Sequence, residues 1–133
     1  MSGTEHIEYE GLSYALIVRN EIENTGLKFV TGNEDLLQLA HMRYPAGKLI
    51  QPHLHNSVVR TLNHTFEVLL IKKGKLKVTY YNAKRLPMGE STLYSGDVIL
   101  LMFGGHGFEV LDELEMIEVK QGPYVGDADK IKF

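Results

Sequence analysis

Polar and apolar residues alternate strictly through Lys75-Leu76-Lys77-Val78-Thr79-Tyr80. A period of two puts Leu76, Val78 and Tyr80 on one face of a strand and leaves the other face wet. Residues 66–73 before it are mostly apolar, and Gly74 between the two runs reaches positive φ cheaply, so 66–82 reads as a hairpin turning at Gly74. Apolar stretches at 14–19 and 27–31 flank the turn-like Glu23-Asn24-Thr25-Gly26. Another, 36–44, ends at Pro45-Ala46-Gly47, and 97–103 follows Ser95-Gly96. Residues 106–111 and 115–120 read as a second hairpin through Asp112-Glu113-Leu114. Residues 33–42, with apolar positions at 36, 37, 39 and 40, also fit a short helix. Eight or so short strands, with turn signals every ~8–12 residues, predict an all-β sandwich or barrel. No linker, repeat or charge block divides the chain, so residues 1–133 are read as a single domain. The turn-rich Gln121-Gly122-Pro123-Tyr124-Val125-Gly126-Asp127 is expected to be an irregular tail packed back on the barrel.

Composition narrows the function classes. The 133 residues are 44% hydrophobic and 23% charged, ordinary for a globular chain that closes its own core. A net charge of −3 leaves no basic field for a phosphate backbone, so nucleic acid is not an expected partner. With no cysteine, disulfide scaffolds, zinc fingers, iron–sulfur sites and cysteine nucleophiles are excluded. The longest apolar run, 98–103, is six residues, far short of the ~20 that cross a bilayer as a helix, and no membrane partner is expected. The opening MSGTEHIEYE is acidic and polar, unlike a signal peptide, which makes the cytoplasm the expected location.

Candidate chemistry lies with the six histidines. His53 and His55 sit two apart, and on a strand such residues project to the same side, as two neighbouring metal ligands must. The same spacing also suits a pair of surface histidines. Glu67 opens the otherwise apolar run Phe66-Glu67-Val68-Leu69-Leu70-Ile71, where a carboxylate is costly to bury unless a cation or water satisfies it. His106 stands between Gly105 and Gly107, which allow close backbone approach beside a ligand. His41 and Arg43 share a strand face, and Arg60 and His64 lie between His55 and Glu67; these four are candidate substrate contacts. Phe108 and Val110, on the face of His106, are expected core, as are Leu76, Val78 and Tyr80. Lys72, Lys73, Lys75 and Lys77 read as a wet edge around the turn. Phe66, Val68 and Leu70 face away from Glu67, Leu69 and Ile71, so the strand is apolar on both sides. A homodimer is expected to cover the second face, unless 14–19 or 27–31 covers it within the chain.

Gly47, five residues and His53-Leu54-His55, then Glu67, six residues and Gly74, resembles the first motif of the cupins. Ser95-Gly96-Asp97, with His106 nine residues beyond the aspartate, resembles the second. The likeness spans residues 47–110. It implies a double-stranded β-helix, a jelly-roll-like cupin barrel, with His53, His55, Glu67 and His106 holding one divalent ion: manganese, iron, nickel, cobalt or zinc. Eleven residues separate His55 from Glu67, longer than the family's usual gap, and His64 enters there as a rival ligand. Leu101 and Phe103 replace the second motif's proline and glycine, and Val110 its asparagine. The implied function is metal-dependent chemistry on a small molecule such as a sugar derivative or keto acid, by isomerisation, epimerisation or oxygenation. The alternative is a non-catalytic small-molecule or metal-binding module.

Overall fold

The alternation at residues 75–80 does not turn at Gly74; it runs straight through it. The structure, a computed structural model, describes residues 2–133. In it Glu67–Tyr81 is one strand of 15 residues, and Gly105–Lys120 is one of 16. The two expected hairpins are thus two long strands that pair with each other, from Glu67 opposite Lys120 to Tyr81 opposite Gly105. In chain order the strands are β1 (Thr4–Tyr9), β2 (Leu12–Val18), β3 (Gly26–Phe29), β4 (Ala40–Arg43), β5 (Glu67–Tyr81), β6 (Pro87–Tyr94), β7 (Val98–Leu101) and β8 (Gly105–Lys120). A 3₁₀ turn, Gly126–Asp129, follows. Residues 33–39 are irregular, so neither the short helix nor a strand from 36 forms, and β4 begins only at Ala40.

Gly74 explains how local reading went astray. Its φ is +99°, as a turn would need, but the pairing register of β5 on β8 slips three times between Ile71 and Leu76. Such bulges bend and twist a strand without ending it. A Cβ at 74 would collide with the Glu113 carbonyl, so the glycine serves close backbone approach as well as the bend. The lysines around it are not at a turn either. Lys72, Lys73 and Lys77 pair across the strands with Glu115, Glu113 and Glu109, at 3.3, 3.3 and 2.7 Å.

The bend divides a strongly curled antiparallel sheet, a half-barrel, into two limbs. In the first, residues 67–70 of β5 lie between β7 and the end of β8, with β2 and β1 beyond β7. In the second, residues 75–81 of β5 lie between β6 and the start of β8. The chain crosses between limbs at Ser95-Gly96-Asp97. There the buried Asp97 carboxylate accepts from Arg19 Nη1 at 3.0 Å and from the backbone N–H groups of Asn20 and Tyr94, both at 2.8 Å. β3 and β4 form a separate two-stranded sheet.

Both faces of the first limb are packed. Inside the curl, Ala15, Ile17, Leu69, Ile71, Leu76, Val78, Tyr80, Leu93, Ile99 and Leu101 form the main core. Outside it, Leu16, Phe66, Leu100 and Met102 form a second cluster, covered by Leu36, Leu37 and Leu39. The face of Phe66 and Val68, expected to seek a second chain, is therefore covered from within at that end. Leu70 stays exposed, beside Ile117 and Val119 of β8. The second limb is open. Phe108 and Val110 lie opposite Val78 and Leu76, which are fully buried, yet they are 41% and 56% exposed, so they are not the core residues expected.

Candidate functional site

β5 begins at Glu67 in the first limb, and β8 begins beside His106 in the second. The curl of the sheet brings the two together, with His106 Nε2 3.6 Å from Glu67 Oε1. Register explains the approach. Glu67 points inward with Leu69 and Ile71, while His106 lies opposite the inward-facing Tyr80. The His106 ring stacks on Phe108, two residues along the same face, with centroids 5.3 Å apart and planes 22° off parallel.

The carboxylate cost anticipated for Glu67 is met by the protein itself. Hydrogen bonding to His106, together with that from Glu118 and the charge of Lys120, outweighs burial and holds the Glu67 carboxyl at about 2. Glu118 is shifted the other way: its hydrogen bond to Glu67, then burial and the like charge, favour its protonated form. Glu67 therefore stands as a persistent anion, a good hard ligand for a cation at neutral pH.

Glu67 and His106 line a cleft of about 450 Å³. Its far wall is the end of the chain, where Asp129, Lys130, Lys132 and Phe133 line it; residues 121–127, the segment expected to pack back, are mostly exposed and do not. Thr65 Oγ1 donates to Asp129 at 3.4 Å and the Arg85 guanidinium lies over the Phe133 ring at 5.4 Å, and two more contacts fasten this wall. Lys120 Nζ donates to Asp129 at 3.3 Å, and Phe133 sits edge-on to Tyr81 with centroids 5.2 Å apart. These tail residues were missed in the sequence, where nothing local marks Lys132 or Phe133 as neighbours of a histidine 26 positions or more away.

His53 and His55 lie elsewhere. Residues 44–65 carry no helix or strand and are exposed throughout; 60–65 lie back against Asp35, Phe103 and Asp129, and 44–59 form an arm. The two imidazoles are neighbours there, with ring centroids 5.4 Å apart, and His53 Nδ1 is 2.8 Å from the Gln51 carbonyl. The strand expected around them is not formed. Among the described residues, no three or more His, Asp or Glu side chains stand together as a metal-binding group.

The candidate substrate contacts also scatter. His41 is on β4, its Nδ1 3.3 Å from Asn24 Nδ2, and Arg43 is exposed at the end of that strand. Arg60 lines a separate hollow with Asp35, Leu36 and Gln38. His64 stands edge-on to Phe103 at 4.9 Å, against the outer apolar cluster. None of the four lines the Glu67–His106 cleft.

Among the described residues no helix is long and apolar enough to cross a membrane. Compared with known proteins, the chain matches no protein-family model, no curated protein and no solved structure.

Proposed function

We propose that the protein is a small cupin-type barrel that binds one divalent ion through His53, His55, Glu67 and His106, and acts there on a small oxygen-rich metabolite. The single observation that carries this reading is the approach of Glu67 and His106, 39 positions apart in the chain, at the mouth of an open cleft. The curled half-barrel supports the cupin reading, because it presents both residues on the inner side of one sheet.

The donor set suits such an ion. Three imidazoles and one carboxylate leave a divalent metal with net positive charge and room for further oxygen ligands. Bound there, the ion would supply Lewis acidity toward a carbonyl or hydroxyl oxygen. The chain's own residues would do the rest. Glu67 stays anionic and keeps the cation in place, Ile131 and Phe133 offer an apolar wall, and Lys130 and Lys132 favour an acidic substrate such as a keto acid or sugar phosphate ester. A cytoplasmic enzyme of sugar or keto-acid metabolism is the resulting picture. The presence of Phe133 in the cleft favours a second reading, a binding module that holds its ligand without turnover.

Metal analysis of the purified protein tests the proposal. A single divalent ion per chain is expected, with thermal unfolding shifted upward by added metal and again by sugar nucleotides or keto acids. A protein that takes up none of manganese, iron, nickel, cobalt or zinc would overturn it. Stabilisation by a metabolite with no turnover of any member of the screen would favour the binding module.

A further inference from the structure

We infer that the working form is an arm-exchanged pair: residues 44–59 of each chain lie along the free edge of β8 of the other. Each metal site then takes Glu67 and His106 from one chain and His53 and His55 from the second copy. This deepens the metal reading and rests on it.

The acceptor is an edge. β8 pairs with β5 along one side, and no other strand pairs with it among the described residues. A 16-residue strand with one side of its backbone unpaired is a template for another strand, and soluble proteins rarely leave one uncovered. The inner face beside that edge has the same character. Phe108 and Val110 are exposed next to fully buried partners, as expected where the neighbouring strand's side chains are missing.

The donor is the arm. Seven of its 16 residues are apolar, as in β8, yet Leu49, Leu54 and Val59 are 87%, 95% and 94% exposed. Its 16 residues span at most ~58 Å when extended, ample for reaching a second body. Charge is complementary. Residues 44–59 hold Lys48 and no acid, whereas β8 holds five acids against Lys120. Three of those acids already face β5 lysines, so charge here selects the pairing more than it drives it. The ligand sets are complementary too: beside Lys120-bound Asp129, the cleft offers one imidazole and the Glu67 carboxylate, and the arm carries two further imidazoles.

A second copy is the occupant because each chain holds one donor and one acceptor, and the arm pairs with no strand of its own chain among the described residues. Reciprocal exchange about a twofold axis pairs both edges, covers both arms and leaves nothing open.

Two damaged chains test this. His53→Ala/His55→Ala and Glu67→Gln/His106→Ala chains, with different affinity tags, are co-expressed, purified as the mixed pair and titrated with Zn²⁺. Exchange predicts half the zinc of the wild-type pair, because one site inherits four intact ligands, and neither variant alone should load. A mixed pair as empty as its parents, beside a wild type that loads, would place each site within one chain and overturn the proposal. Failure of the metal reading has a different signature, a wild type that takes up no zinc. Exchange is then read in EDTA. The chain has no cysteine, so Leu54→Cys/Val110→Cys, at two exposed positions, provides a unique pair for a short bismaleimide. Covalent dimers on a denaturing gel, with the single-cysteine variants as blanks, support exchange. Internal cross-links, no cross-link, or a mass of 15.0 kDa by light scattering overturn it.

Discussion

Ile99, Leu100 and Leu101 of β7 and Leu49, Leu54 and Val59 of the arm are alike in chemistry and opposite in fate. The first three are 0–1% exposed and the second three 87–95%. β7 lies between β2 and β5, and its alternate side chains enter the inner and outer clusters in turn. The arm pairs with no strand among the described residues. Apolar residues do not bury themselves; a partner strand holds them where burial is possible. Full burial stabilises a side chain of this kind by ~1.5–3 kcal/mol, a gain the arm forgoes in the single chain.

The widest gap between the two regions should appear on truncation. Leu100→Ala leaves a cavity in the outer cluster and should cost ~2–5 kcal/mol in urea unfolding. Next comes the crossing between limbs. Asp97→Ala removes a buried acceptor shared by Arg19, Asn20 and Tyr94, and should cost ~1.5–3 kcal/mol, read the same way.

Alkaline pH sharpens the comparison on the core side. Burial pushes the Tyr80 phenol up to about 12 against its hydrogen bond to Ser91, while the unfolded chain ionises near ~10. Between these values the folded state keeps a proton that the unfolded state has lost. Stability is therefore full below ~pH 10 and falls as pH rises toward 12, by a few kcal/mol at most. Tyr80→Phe should flatten that decline. Unfolding curves that stay parallel for both proteins across this range would contradict the burial account. The smallest effect belongs to the arm. Val59→Ala, made in a chain held monomeric by dilution, should stay within ~0.5 kcal/mol of wild type.

How much of this was legible follows from the range of the forces involved. The inward positions Leu76, Val78 and Tyr80 were readable because alternation is local. Gly74 was misread because positive φ serves a bulge as well as a turn, and only Glu113, 39 positions away, decides between them. β1 and β6 were missed. Thr4–Tyr9 is mostly polar, and Pro87 and Gly89 weaken the strand signal of β6. In the site, Glu67 and His106 were visible as a carboxylate in an apolar run and a histidine between glycines. Their meeting with Lys132 and Phe133 depends on where the chain returns, which no local pattern encodes.

The central claim is that the Glu67–His106 pair is half of a metal site and the arm carries the other half. Zinc titration calorimetry on four single variants tests it most directly. His53→Ala, His55→Ala, Glu67→Gln and His106→Ala should each weaken binding by ~10-fold or more, since each removes a ligand. His6→Ala, which loses only its contact with Ser13 and Glu8, should bind as wild type. If His53→Ala and His55→Ala also bind zinc as tightly as the wild type, the arm takes no part in the site and the account is wrong.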